Sequence, residues 1–320
     1  MKIGVMMALF SRQTLDEAAQ YLVRSGVEAM ELTTGNYPGC PHIDVDGLLR
    51  SDDKCKALLD SLKEKSIILS ALSCHGNPLH PNEKMAKEHH EVHRKTVRLA
   101  KKLGVSVVIN FSGCPGDSDN AKYPNWVTCP WPEDFSEIVK WQWDKKVIPY
   151  WKKEATYAKD HGIKLAFEMH PGFCVYNTET MLRLRKECGN NIGANFDPSH
   201  LFWQGIDPIV SLRELKACIY HVHAKDTNID SINCPKNGVL DTKSYGDEIN
   251  RSWIFRSIGY GHSVEWWKQF ASNLRMIGYD GALSIEHEDS LLSVNEGFQK
   301  SVAVLKEAIA FEKTGGMWWA

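Results

Sequence analysis

The 320-residue chain has no long apolar stretch, no cluster of basic residues and no CxxC pair. A transmembrane helix needs about 20 consecutive apolar residues, so none is expected. The 38 Lys and Arg residues are balanced by 40 Asp and Glu, and composition gives no argument for nucleic acid as a partner. The nine cysteines are scattered, which speaks against a disulfide framework or a cysteine-based zinc site. We therefore expect reduced thiols in a cytoplasmic protein with no membrane partner.

The first residues, MKIGVMMALF, form a short apolar run without a basic n-region or a small-residue cleavage site. Because a helix-like segment follows at Thr14, we predict a first strand here rather than a signal peptide. A Gly-rich phosphate loop is also missing, which favours an unphosphorylated substrate.

A short apolar strand, a loop and a longer helix-like segment recur along the chain. Eight strands alternating with eight helices predict a parallel sheet, and the length suits an α/β fold with a single (β/α)8 TIM-barrel domain over residues 1–320. Strands are predicted at residues 2–9, 29–34, 67–74, 105–112, 164–169, 192–196, 219–224 and 282–286. Helices are predicted at residues 15–25, 52–65, 83–103, 135–160, 179–187, 208–216, 264–277 and 294–311.

Two connections, at residues 113–133 and 225–262, are too long for simple turns. Each follows a strand, so each lies on the catalytic face of a barrel. We expect both loops to cover a substrate pocket over the active site, with a contact in an oligomer as the alternative for each.

Acidic residues and histidines stand at the ends of the last four strands, in LAFEMHP, GANFDPSH, IYHVHAKD and LSIEHED. One such acid is best explained by a salt bridge, but four strand ends of the same kind favour a bound divalent cation, since an unpaired carboxylate inside a barrel is costly. Three carboxylates and one imidazole suit Mn, Mg or Co. Because strand side chains alternate, the candidates on the inward sides are Glu168 and His170, Asp197, His221 and His223, and Glu286.

The motifs FEMHP, NFDPSH, HVHAKD and SIEHED, with MEL on the second strand, resemble the sugar phosphate isomerase/epimerase superfamily over nearly the whole chain. That family has a xylose isomerase-like TIM barrel. The resemblance implies one bound divalent metal ion, with Mn expected first. It selects His223 over His221, and the implied ligands are Glu168, Asp197, His223 and Glu286.

The resemblance further implies a metal-dependent isomerase or epimerase that acts on an unphosphorylated keto-sugar or a related polyol. The ion would stabilise the enediolate that forms when the proton α to the carbonyl is removed. Glu168 and Glu286 would then form the acid/base pair. The alternative is a lyase that dehydrates a keto-inositol, or cleaves a 3-keto-glycoside or C-glycoside by β-elimination, with His170 or His75 as an added base or acid. Relatives that cleave C-glycosides work with a small second subunit.

The substrate contacts are less specific predictions, because packing or an ion pair explains several of them equally well. His200 is implied by the resemblance, and the exposed apolar ending MWWA favours a homo-oligomer. The DNA-repair branch of the superfamily is disfavoured, since no Asp-x-His pair follows HVHAKD and Asn110 stands where that branch has a histidine. The predicted substrate contacts are His200, His75, Glu31, Arg251, Arg256, His262 and Trp126.

Overall fold

The structure, a computed structural model, describes residues 1–319. None of the helices in these residues combines the length and the apolar character that crossing a bilayer requires. The strands are β1 (Lys2–Met6), β2 (Ala29–Thr33), β3 (Ile68–Ser73), β4 (Val107–Asn110), β5 (Lys164–Glu168), β6 (Ile192–Phe196), β7 (Ile219–Ala224), β8 (Asp226–Ile229), β9 (Trp253–Arg256) and β10 (Ala282–Ile285). The α-helices are α1 (Leu15–Ser25), α2 (Val45–Arg50), α3 (Asp52–Glu64), α4 (Glu83–Leu103), α5 (Glu133–Trp141), α6 (Ile148–Asp160), α7 (Thr178–Cys188), α8 (Ser199–Trp203), α9 (Pro208–Leu215), α10 (Asn233–Asn237), α11 (Val264–Met276) and α12 (Val294–Ala308).

Strands β1 to β7 and β10 close into a parallel barrel, in the order β1-β10-β7-β6-β5-β4-β3-β2. Pairing of Gly4 with Ser284 joins the first strand to the last. Strands β2, β4, β6 and β10 are buried at every residue, because helices cover the outside of a parallel barrel. The predicted xylose isomerase-like TIM barrel is confirmed, with all eight predicted strands in the barrel wall.

Capping residues set the ends of the helices that cover the barrel. The side chain of Thr14 accepts a hydrogen bond from the backbone of Glu17, whose carboxylate accepts one from Thr14 in return. This capping box satisfies backbone N–H groups that the first turn leaves free. At the other end Gly26 adopts a φ of 78°, and Gly104 after α4 adopts 70°. Glycine adopts this left-handed conformation without steric cost, so the chain can turn directly into the next strand.

The prediction of one continuous α-helix at residues 135–160 is wrong, because its central part is not α-helical. A π-helical segment, Gln142–Val147, separates α5 from α6. Its wider turn carries two large side chains, Gln142 and Trp143, that are both buried. The amide of Gln142 donates to three carbonyl oxygens of residues 115, 116 and 125, which holds the long 113–133 loop against the helix.

The interior of the barrel below its open end is filled by small and branched side chains, Ala71, Val107, Ile109 and Ala166. The predicted site residues stand above this packing, at the carboxyl ends of the strands, where a cavity opens. The 225–262 loop is itself folded there, because β8 and β9 pair as an antiparallel hairpin. Trp253 of the hairpin stacks on Trp203 of α8, with ring centroids 4.5 Å apart and planes at 6°.

Candidate metal centre

Four predicted ligands meet at the open end of the barrel. Glu168 ends β5, Asp197 directly follows β6, His223 lies in β7 and Glu286 directly follows β10. One ligand atom of each residue lies within 4.8 Å of the other three. The Nδ1 atom of His223 is 3.2 Å from Oε2 of Glu168 and 3.1 Å from Oε2 of Glu286. Distances of about 3 Å between ligand atoms are what metal bonds of about 2.1 Å at right angles produce.

Three of these ligand atoms are buried without a hydrogen-bond partner among the described residues: Asp197 Oδ2, His223 Nδ1 and Glu286 Oε2. Leaving a buried polar atom unpaired costs about 1–3 kcal/mol. A divalent cation between them would satisfy all three, so the donor set fits the ion that its chemistry predicts.

Glu31 orients the imidazole ligand. Its Oε2 lies 2.9 Å from Nε2 of His223, and its side chain is fully buried. Burial alone would raise the pKa of Glu31, but the imidazole of His223 outweighs it and lowers that pKa. A carboxylate on the far nitrogen is the usual partner of a metal-binding histidine and directs Nδ1 towards the ion. Glu31 pairs with His223 and is not among the residues that line the cavity described below, so its contact with substrate stays a prediction.

Lys225 was not among the predicted site residues, but the structure places it beside two of the candidate ligands. Its Nζ lies 2.9 Å from Oε2 of Glu286, 2.9 Å from Oε2 of Glu288 and 3.2 Å from Oδ2 of Asp197. Burial alone would lower the pKa of Lys225, but these carboxylates raise it well above its usual value. Lys225 therefore supplies a fixed positive charge to the site. Alternation from His223 would have predicted its inward direction, but not its partners.

A cavity of about 570 Å³ opens above the ligands. Its polar side includes Glu168, Glu286 and Lys225, and its apolar side includes Phe111 and Phe173. Those two rings stack with centroids 4.3 Å apart and planes at 20°. The remaining lining residues are Met6, Ala8, Leu9, Tyr37, Pro38, His75, His170, His287, Glu288 and Val294.

Three predicted histidines surround the carboxylate of Glu168. Nε2 of His75 lies 3.1 Å from its Oε2, and Nε2 of His200 lies 3.2 Å from its Oε1. Burial alone would raise the pKa of Glu168, but the imidazoles of His200, His223 and His75 lower it well below its usual value. The ring of His170 packs 4.1 Å from that of His200, and burial, with His200 second, lowers its pKa to about 3. Glu168 is therefore ionised and His170 neutral near pH 7.

Residues 19–308 match the model of one protein family, described as xylose isomerase-like TIM barrel. The chain belongs to this family. It is 39% identical over 313 residues to the uncharacterized protein YfiH of Bacillus subtilis, with 97% of this chain and 100% of that protein covered. The resemblance predicted from the strand-end motifs is thus confirmed.

Solved structures share the fold at low sequence identity. The probable 3-DHS dehydratase AsbF of Bacillus anthracis has a TM-score of 0.65 at 18% identity, with 96% of this chain and 99% of that chain covered. A D-tagatose 3-epimerase-like protein has a TM-score of 0.61 at 21% identity, with 96% and 98% covered. The IolI protein, solved with a bound zinc atom, has a TM-score of 0.63 at 19% identity, with 97% and 98% covered.

In this family member the long 225–262 loop keeps its arginines away from the cavity. The guanidinium of Arg251 donates to the backbone carbonyl groups of Trp253 and Lys243 and lies over the rings of Tyr245 and Trp253. Arg256 pairs with Asp289, its Nε 3.1 Å from Oδ2. Neither arginine lines the described cavity. Contact of Arg251 and Arg256 with substrate stays a prediction, and in this structure both charges hold the loop together.

Two further predicted contacts also lie outside the described cavity. Nδ1 of His262 lies 2.7 Å from Oδ1 of Asp226, and its ring stacks on that of Phe202 at 3.7 Å. The ring of Trp126 packs edge-on against Tyr176, with centroids 5.5 Å apart. Both side chains pack a loop against a neighbouring part of the fold. The described cavity is lined by no residue of the 113–133 loop.

Replacing Arg251 by methionine is expected to loosen the loop without changing substrate binding. The variant loses two hydrogen bonds and the contacts with two rings, so the melting temperature should fall by about 2–6 °C. KM should stay within about twofold, since Arg251 is buried in the loop. Differential scanning fluorimetry and steady-state kinetics measure the two quantities. A large rise in KM at unchanged stability would support Arg251 as a substrate contact.

The affinity for a divalent ion is expected to rise with pH. Burial alone would lower the pKa of His223, but the carboxylates of Glu31 and Glu286 raise it well above its usual value. A bound ion must then displace a proton from His223, and affinity should rise about tenfold for each pH unit below that pKa. Titration calorimetry with Mn²⁺ in two buffers of different ionisation enthalpy counts the released proton. An affinity that is independent of pH would contradict the assignment of His223 as ligand.

Proposed function

We propose that the protein is a divalent-metal-dependent isomerase or epimerase of an unphosphorylated keto-sugar or a related polyol. One observation carries the proposal: Glu168 and Glu286 converge with two other ligands on one ion-sized space, and both also line the cavity. When bound, the ion, Mn²⁺ by expectation, supplies Lewis acidity that stabilises negative charge on adjacent substrate oxygens. The zinc atom in the IolI structure supports a divalent ion in this fold.

Epimerisation requires one group to remove a proton from one face of a carbon and another to return a proton to the opposite face. Glu168 and Glu286 come from β5 and β10, which β6 and β7 separate in the barrel wall. A substrate carbon held between them therefore faces a carboxylate on each side. His75 and His200 stabilise the ionised form of Glu168, which makes it the group that accepts the proton.

Lys225 and the apolar wall complete the pocket that we propose for the sugar. The Nζ of Lys225 lies 2.9 Å from Oε2 of Glu286, so it holds that carboxylate at the cavity and can supply the proton that Glu286 passes to the substrate carbon. The stacked rings of Phe111 and Phe173 give the cavity a flat apolar surface, which suits the C–H face of a sugar ring.

The decisive experiment incubates the Mn²⁺-loaded protein in D₂O with ketohexoses, inososes and 3-keto-glucosides, and follows each by NMR. Deuterium at the carbon α to the carbonyl, with the carbon skeleton intact, is the expected result. The same protein treated with a chelator is the control and should show no exchange. Absence of exchange with every keto-sugar would overturn the proposal.

A lyase is the second candidate, and the surroundings of Glu168 favour it specifically. His170 lies beside His200 at the cavity wall, where its neutral imidazole can act as a second base in an elimination. The stacked Phe111 and Phe173 rings offer an apolar surface on which an aglycone can lie. The fold shared with a probable 3-DHS dehydratase is consistent with elimination. In the same experiment, loss of water or of the aglycone identifies this reaction.

We further propose a cytoplasmic homo-oligomer. Its nine cysteines, all within the described residues, are free thiols, which suits a reducing compartment. Near the end of the chain Trp318 is 93% exposed and Trp319 is 67% exposed, and large exposed aromatic side chains favour a subunit contact. Light scattering should show an oligomer that shortening the chain before Met317 converts to monomers. A monomeric full-length chain would contradict this proposal.

A further inference from the structure

A network of buried hydrogen bonds leads away from Glu168 through Asn195 and His221 to Ser284. Nδ2 of Asn195 lies 3.1 Å from Oε2 of Glu168, and Oδ1 of Asn195 lies 3.0 Å from Nδ1 of His221. Nε2 of His221 lies 3.2 Å from Oγ of Ser284. Asn195 and His221 are buried, and neither lines the described cavity or belongs to the four candidate ligands. The metal centre and the cavity therefore give these two residues no direct role.

The hydrogen bonds of this network have one consistent direction. The ionised carboxylate of Glu168 can only accept, so the amide nitrogen of Asn195 faces it as the donor. The amide oxygen of Asn195 then faces Nδ1 of His221, which must carry a proton in order to donate. The hydroxyl of Ser284 can donate to Nε2 on the other side of the ring. His221 thus fixes which way the amide of Asn195 points.

The two oxygens of Glu168 have different surroundings as a result. Oε2 accepts from Asn195 and lies 3.1 Å from Nε2 of His75 and 3.2 Å from Nδ1 of His223, a candidate ligand. Oε1 receives no hydrogen bond from the residues that the structure describes, although Nε2 of His200 lies 3.2 Å away. Oε2 is therefore occupied on the side of the ion, and Oε1 keeps its lone pairs for another partner.

We propose that Asn195, oriented by His221, is a positioning residue that holds Oε2 of Glu168 at the ion and leaves Oε1 to accept the α-proton of the substrate. This assignment rests on the proposed isomerase and specifies the atom of its base. The proton moves from the substrate carbon to Oε1, and the electron pair of the C–H bond passes into the enediolate. Without the amide the carboxylate can turn, and a displacement of about 1 Å can cost about 10²-fold in rate.

Two replacements of His221 separate the hydrogen bond from the ring. The amide nitrogen of His221→Asn can take the place of Nδ1 and donate to Asn195, whereas that of His221→Gln takes the place of Nε2 and cannot. The probe is the ketohexose, inosose or 3-keto-glucoside that the wild type exchanges in D₂O. His221→Gln should lose about 10²-fold in kcat with KM within about twofold, and His221→Asn should stay within about threefold in both. Equal losses in the two variants would overturn the proposal.

A double-variant cycle tests whether His221 acts through Asn195. Asn195→Ala should lose as much exchange as His221→Gln, and the double variant should lose no more than Asn195→Ala alone. Losses that multiply would show two independent effects on the fold and would contradict the positioning role. Circular dichroism and the Mn²⁺ bound per chain are measured for each variant, so that a misfolded or metal-free protein is not mistaken for one with a displaced base.

The proton on His221 gives a readout that needs neither substrate nor metal. Nitrogen-15 NMR of the metal-free protein, labelled at histidine, distinguishes a protonated ring nitrogen from an unprotonated one, and the signals missing from His221→Gln identify His221. Nδ1 should carry a proton. An unprotonated Nδ1 would overturn the proposal, because Oδ1 of Asn195 would then lack its donor. If no keto-sugar exchanges, the proposed isomerase fails, whereas the position of this proton still tests the network.

Discussion

Replacing Glu168 by glutamine is expected to slow exchange of the substrate's α-proton by about 10⁴-fold. Glutamine has almost the same shape but accepts no proton at its amide nitrogen and is a weaker ligand. The carboxylate it replaces is nearly fully buried, and the three imidazoles around it hold it in the ionised form that accepts the proton. Deuterium exchange followed by NMR measures the loss, and metal analysis of the same sample separates a lost base from a lost ion.

Glu288→Gln is the control for this experiment. Glu288 lines the same cavity, but it is about half exposed and is not one of the four candidate ligands. Its loss should change exchange by no more than about threefold, because Lys225 keeps its contacts with Asp197 and Glu286. Full exchange in Glu168→Gln would show that this carboxylate is not the base. An equal loss of deuterium exchange in both variants would show that exchange depends on the total negative charge of the cavity rather than on Glu168 as the base.

Replacing Lys225 by methionine is expected to destabilise the metal-free protein by about 3–5 kcal/mol. Methionine preserves much of the volume but leaves Asp197 and Glu286 buried without their shared cation. A divalent ion bound between the same carboxylates supplies the missing positive charge. The difference in unfolding free energy between variant and wild type should therefore become smaller when Mn²⁺ is saturating. Mn²⁺ at about 100 times its Kd stabilises each protein that binds it by about 2.7 kcal/mol through mass action alone.

Urea denaturation of both proteins, with and without Mn²⁺, measures this difference. Lys225→Arg keeps the charge and should lose less stability than Lys225→Met. Lys56→Met serves as a surface control, because Lys56 forms an exposed pair with Asp60 and should contribute less than about 1 kcal/mol. An equal deficit with and without the ion would show that Lys225 stabilises the fold by packing rather than by charge.

The barrel was predictable because its signals are local. Apolar runs marked the strands, and Gly26 and Gly104 marked the ends of two helices through their left-handed conformation. The same alternation that makes a strand two-sided placed the ligands of four strands on one side. The π-helical segment Gln142–Val147 was not predictable in this way, since its buried residue Gln142 is held by carbonyl groups of the 113–133 loop, outside the helix itself.

The alternation of side chains along a strand predicts which way each side chain points, but not how far along the barrel axis it lies. Glu31 points inward as its strand predicted, but it pairs with His223 and does not line the described cavity. Phe111 continues the inward series of Val107 and Ile109 past the end of β4 and reaches the cavity wall. The level that a side chain occupies depends on how neighbouring strands are staggered around the barrel, which no single strand contains.

The sequence by itself determined the barrel, its open end and the four residues expected at the metal ion. Tertiary structure decided the rest of the site. In the folded chain Arg251 lies inside its own loop and Lys225 contacts three carboxylates. His170 and His200 lie beside Glu168. The physical reason is that strand periodicity acts over a few residues, whereas the pairing of buried charges depends on contacts between segments far apart in the chain.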